Sequence, residues 1–274
     1  HQRRPPATVT TTGDPGDVMA AISTFGSALK TTSPERSFPT LRGHPPAVEL
    51  GDELRIPDEL SPPDTGVRVE VPPDLDHVYP AAPLAYYLGA EVVPGNAPKL
   101  VADGYEHPLD SAHGFETEVA RVLKGTFLLD CVTRTEGYYP VDLHERREVE
   151  PLVDLDFAAL YDAPLAERLA AYLDVPYALL EPHVPKWQLS ARVAPDPGNV
   201  ETLPFVVDDL AVVRTPSATD ASPSNAPAPS TDEFARSGEF TRSASETSPT
   251  NRSLVEPEST DSLDQLWVGD DTPV

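Results

Sequence analysis

The sequence predicts an α/β or α+β protein built as one compact mixed domain with short strands and helices. Three observations carry that expectation. Val67, Val69 and Val71 alternate with Arg68 and Glu70, apolar on one face and charged on the other, as a half-buried strand requires. Phe115, Val119, Val122, Thr126 and Leu129 make one stripe of a long helix, widened by Leu123, Phe127 and Cys131. Between residues 76 and 213, which hold all nine Tyr, short helical and single-strand patterns follow one another without strict alternation.

Along the chain, residues 1–39 form an N-terminal segment with one amphipathic helix, Asp17 to Lys30, in which Val18, Ile22, Phe25 and Leu29 recur at helical spacing. The mixed domain is placed at 40–214. It opens with an extended Pro-rich stretch in which Pro45-Pro46, Pro62-Pro63 and Pro72-Pro73 break helices. Pro80 to Gly89 reads as a short buried helix with its prolines in the first turn and a glycine cap, leading into a strand over Ala90–Val93. Lys99–Ala102 reads as another strand, and Asp110 or Ser111 as the cap of the long helix. Leu155–Tyr161 and Pro164–Leu173 read as two short helices, the second with Glu167 and Arg168 outward. Trp187, Leu189, Ala191 and Val193 alternate as a strand, and Asn199 to Arg214 closes the domain as a helix.

Residues 215–253 contain, apart from Ala, only Phe234 and Phe240 as apolar side chains, so they cannot bury enough surface to offset their chain entropy. A disordered Ser/Thr/Pro-rich linker is expected there. Leu263, Leu266, Trp267 and Val268 then form a short apolar cluster, and 254–274 is expected to be the truncated start of a further domain.

A formal charge of −25 argues against nucleic acid as a partner, because phosphate binding needs clustered Lys and Arg. The cations are four Lys against sixteen Arg, and this acidic, lysine-poor balance points to a salty cytoplasm, where concentrated salt screens the carboxylates. No run of 18 apolar residues occurs, so no membrane span is expected. One cysteine, Cys131, excludes an internal disulfide and a CxxC zinc site.

The only thiol nucleophile on offer is Cys131, with His107, His113 and His144 as nearby bases; its place on an apolar helical face reads more simply as a small buried side chain. His107, Asp110 and His113 lie within seven residues but match no standard zinc spacing, so no metal and no cofactor is expected. Arg134, Glu136, Asp142, His144, Arg146 and Arg147 form the densest polar run. An Arg pair with an Asp and a His can hold a carboxylate or phosphate and move a proton, while the plainer reading is a set of exposed ion pairs. Arg134, Glu136, Asp142 and Arg146 are therefore the ligand-binding candidates, and Cys131 and His144 the catalytic ones. GxGxxG, GxxxxGK[ST], GxSxG and HExxH are all missing, which leaves nucleotide, serine-hydrolase and zincin readings without support.

The stretch from Phe25 to Pro46, with Pro83-Leu-Ala-Tyr-Tyr-Leu-Gly89 and Asp130-Cys-Val-Thr-Arg-Thr-Glu-Gly-Tyr-Tyr-Pro-Val-Asp-Leu-His144, resembles an uncharacterised haloarchaeal family of long cytoplasmic proteins over essentially the whole chain. In longer members the part corresponding to Leu263–Val274 leads into a domain resembling the CHAT class of caspase-like folds. The resemblance implies that any His/Cys dyad belongs to that later domain. Cys131 does not match such a nucleophile, which that fold places after a strand. The expectation is a non-catalytic scaffold or interaction region whose partner is a protein or a neighbouring domain of the same chain; the alternative is a small-ligand-binding or hydrolytic domain using the polar run 131–147.

Overall fold

The computed structural model describes residues 5–138, 141–216 and 264–268. In chain order, β1 (Thr8–Thr11) leads through an Asp14 cap into α1 (Pro15–Ser23), and β2 (Ala47–Leu50) returns to lie parallel to β1. β3 (Val67–Val71), α2 (Leu75–Leu88) and β4 (Glu91–Pro94) form a crossover in which β3 and β4 run parallel. β5 (Lys99–Ala102) pairs antiparallel with β3, and β6 (Tyr105–Pro108) with β5, giving a four-stranded sheet in the order β4-β3-β5-β6. α3 (Phe115–Thr133) follows, then the short helices α4 (His144–Val149), α5 (Phe157–Asp162), α6 (Leu165–Leu173) and α7 (Tyr177–Leu180). β7 (Leu189–Val193), α8 (Leu203–Asp208), β8 (Val212–Arg214) and β9 (Asp264–Val268) complete the described chain, with β8 and β9 flanking β7 in an all-parallel sheet. Mixed sheets among short helices make this an α/β fold, as expected.

Two apolar clusters organise it. The larger gathers α1, β3, α2, β7 and α8 with Val119, Ala120, Val122 and Leu123 from the first half of α3. The smaller joins Leu128, Leu129 and Val132 of the second half of α3 to Val149, Phe157, Tyr172 and Leu180. α3 thus belongs to both cores, which is why its stripe is wider than a surface helix needs.

α2 is the buried helix: every residue from Val78 to Leu88 is inside. It starts earlier than its prolines suggest, because the Asp74 carboxylate accepts from the His77 N–H at 3.0 Å and caps a first turn upstream. Pro80 and Pro83 therefore stand in the helix interior, each removing one intrahelical hydrogen bond. Three hydroxyls fix the helix instead: Tyr79 donates to Asp196 O at 2.7 Å, Tyr86 to Gly43 O at 2.6 Å and Tyr87 to Asp130 Oδ2 at 2.8 Å. Gly89, at φ 57, ends it in the left-handed conformation that a glycine cap supplies.

Several expectations change. The helix over Asp17–Lys30 stops at Ser23 and continues as a 3-10 turn, Thr24–Ala28, where Gly26 meets the Gly89 backbone. The boundary at residue 39 separates nothing, since β1 pairs with β2 and α1 contributes Val18, Met19 and Ile22 to the main core. The cap of α3 is Gly114, at φ 82, rather than Asp110 or Ser111. Asn199–Arg214 is not one helix but a 3-10 turn, α8 and β8, because Leu210 adopts φ 53 and turns the chain into the sheet. The linker expected at 215–253 lies outside the described residues apart from Thr215 and Pro216, and Thr215 donates from N and Oγ1 to Glu116 Oε1 at 2.7 and 2.9 Å. Within 254–274, the described five residues are the β9 edge strand of the β7 sheet.

Candidate functional site

The polar run resolves into three separate ties. Arg134, in the 3-10 turn after α3, donates from Nη1 to Ser37 Oγ at 2.7 Å and lays its guanidinium 3.9 Å from the Phe38 ring centroid. Arg146, on α4, pairs with Glu136 and Glu150, donates to Thr135 Oγ1 at 2.5 Å and faces the Phe157 ring. Asp142 and Arg147 meet at 3.3 Å with both side chains largely in water. His144 stands exposed at the first turn of α4. The candidates therefore do not converge on one centre; Arg134 and Arg146 fasten the loop after α3 to its surroundings.

Cys131 is half-buried near the end of α3, among Arg134, Asp130, Ser37 and Arg42. Burial pushes its thiol up to about 11, outweighing the opposing pull of Arg134. A thiol held this protonated is a poor nucleophile at neutral pH. His107, Asp110 and His113 also part company. His107 Nε2 lies 3.3 Å from Glu118 Oε1, while Asp110 and His113 are exposed. Among the described residues no group of His, Cys, Asp or Glu is arranged to hold a metal ion.

The strongest electrostatic feature is one the sequence patterns miss. Asp130 is fully buried on α3, and its Oδ2 accepts from Arg36 Nε at 2.8 Å and from the Tyr87 hydroxyl at 2.8 Å. Arg168 Nε approaches Oδ1 at 3.5 Å. Arg168, expected to face outward from α6, is 1% exposed, and it also donates to Ala163 O at 2.9 Å and Thr32 O at 2.5 Å. Arg36 lies over the Tyr87 ring, and Arg42 donates to the Arg36 carbonyl at 2.5 Å. Burial disfavours the charge on Arg36, yet Asp130 prevails and raises its pKa; at Arg168 burial prevails and lowers it. Burial, aided by Asp130, holds the Tyr87 and Tyr172 hydroxyls well above their ordinary range. The cluster ties the 3-10 turn at 34–37 and the start of α6 to α3.

A cleft of about 590 Å³ opens at one end of the four-stranded sheet, beside Ser23, Asp64, Arg68, Glu91 and Asp103. Gly66, Gly89 and Gly104, all at positive φ, are among its lining residues. None of the polar-run candidates reaches it. Against known proteins, no family model, no curated protein and no solved structure matches this chain.

Proposed function

We propose that this chain is a non-catalytic scaffold or interaction region of a larger haloarchaeal cytoplasmic protein, working beside a caspase-like domain of the CHAT class. The observation that carries the reading is the state of Cys131, the only cysteine in the sequence, whose thiol burial pushes up to about 11. The polar candidates support it as well, because Arg134, Glu136 and Arg146 make ties within the chain. The partner is a protein or the neighbouring domain.

The test has two arms. The chain is assayed against fluorogenic peptide amides and esters, and the caspase-like domain, made as a separate polypeptide, is mixed with it in sedimentation experiments at high salt. Co-sedimentation without hydrolysis is the expected result. Hydrolysis that disappears in Cys131→Ala overturns the reading.

A further inference from the structure

A second concavity, of about 170 Å³, lies between α3, the end of α6, α7 and β6. Val122, Leu173, Val175 and Leu180 line it together with Thr126, Tyr172 and Tyr177, and Gly125, in the middle of α3, lines it too. A Cβ at Gly125 would stand 3.5 Å from Leu180 Cδ1 and 3.6 Å from Tyr177 Cδ2, in ordinary contact. The glycine therefore leaves space that alanine would occupy without a clash, at a mid-helix position where glycine costs stability.

Opposite charges also line this space. Glu118 and Arg121, one turn apart on α3, face each other with Oε2 and Nη1 4.0 Å apart, beyond hydrogen-bond length. His107 Nε2 approaches the other Glu118 oxygen at 3.3 Å, and the Arg121 guanidinium lies 5.2 Å from the Tyr177 ring centroid. The Tyr105 hydroxyl donates to Asp174 Oδ1 at 2.9 Å, tying β6 to the residue that ends α6. The site thus offers a carboxylate and a guanidinium side by side, held by neighbours but loosely joined to each other, in a small recess that Val122, Leu173, Val175 and Leu180 also line.

We propose that this recess binds a free α-amino acid with a small aliphatic side chain. The ligand ammonium meets Glu118, its carboxylate meets Arg121, and the side chain enters the space over Gly125. A ligand with only a carboxylate leaves Glu118 facing a like charge, and one with only an amine does the same to Arg121. Pockets for drug-sized ligands run to about 300–1,000 Å³, so a recess of about 170 Å³ selects a far smaller molecule. Binding here is independent of the scaffold reading, since it uses none of the residues on which that reading rests.

The test is calorimetric titration of the whole chain with L-valine, isobutyrate and isobutylamine, the latter two each lacking one charge. Saturable valine binding is expected, with both controls weaker by at least about tenfold. Arg121→Gln should weaken valine by a similar factor. Gly125→Ala should keep or raise the thermal midpoint while shifting preference from valine towards alanine, a change that general destabilisation would not produce. No saturable uptake of valine, isobutyrate binding as tightly as valine, or valine binding indifferent to both substitutions would each overturn the proposal.

Discussion

Asp130 is a buried carboxylate that two buried guanidinium groups share. Removing its charge takes away the ion pair that Arg36 and Arg168 each make with it, so Asp130→Asn should cost about 3–5 kcal/mol in urea unfolding. Its neighbour Cys131 gives a second prediction. The thiol stands at about 11, above its ordinary 9.0, so the native state holds that proton more tightly than the unfolded chain does. The resulting stabilisation is complete below about pH 9 and is lost as pH rises through about 11. Iodoacetamide labelling should accordingly be slow at pH 7.5 and accelerate in step with alkaline loosening. Arg134→Ala should lower the thermal midpoint by removing the Ser37 and Phe38 contacts, whereas His144→Ala, at an exposed position, should leave it unchanged. Little of this was legible beforehand. Asp130 sits at the flank of an apolar stripe, and its partners Arg36 and Arg168 are remote in sequence; periodicity reports faces, and it carries no information on which distant charges share one. Glu118 and Arg121 carry no signal for the same reason, since charged residues one turn apart on a helix look alike in sequence whether or not a recess lies beside them.

At the scale of elements, the best-patterned segments were the readable ones. β3 and β5 fall where alternation and residue type put them, and α3 and α6 follow their apolar stripes. Burial on all sides blurs such signals. α2 has no polar face to set its limits, and its internal prolines imitate a first turn. The β5–β6 hairpin rests on Asp103 and Gly104 at φ 47 and 84, a turn whose Asp-Gly signature was present but had only short strands around it. The joint between the 3-10 turn after α1 and the end of α2 is testable. A Cβ at Gly26 would lie 2.9 Å from Gly89 Cα, and one at Gly89 would meet Pro63 Cγ at 3.0 Å while forcing φ 57 on an alanine. Gly26→Ala and Gly89→Ala should each cost about 1–3 kcal/mol in denaturant unfolding. Gly104→Ala, strained at φ 84 but with open space around it, should cost less than Gly89→Ala in the same experiment.

For the whole molecule, charge dominates. Forty-five acidic side chains against twenty basic ones repel across a surface that only solvent ions can screen. Circular dichroism should show the secondary structure intact at about 2–3 M KCl and largely lost at about 0.1 M, as the screening length grows to roughly 10 Å. A spectrum indifferent to salt would count against adaptation to a salty cytoplasm. The order of strands has a different consequence, for the timing of synthesis. β8 ends at Arg214 and β9 begins at Asp264, yet both lie against β7. At translation speeds of roughly 5–20 residues per second, β7 and β8 leave the ribosome seconds before the strand that covers the other side of β7. During that interval one side of β7 lacks its strand, and its backbone amides and carbonyls there stay open to other pairing. Cover for the open side of β7 is therefore the last part of this sheet to be synthesised.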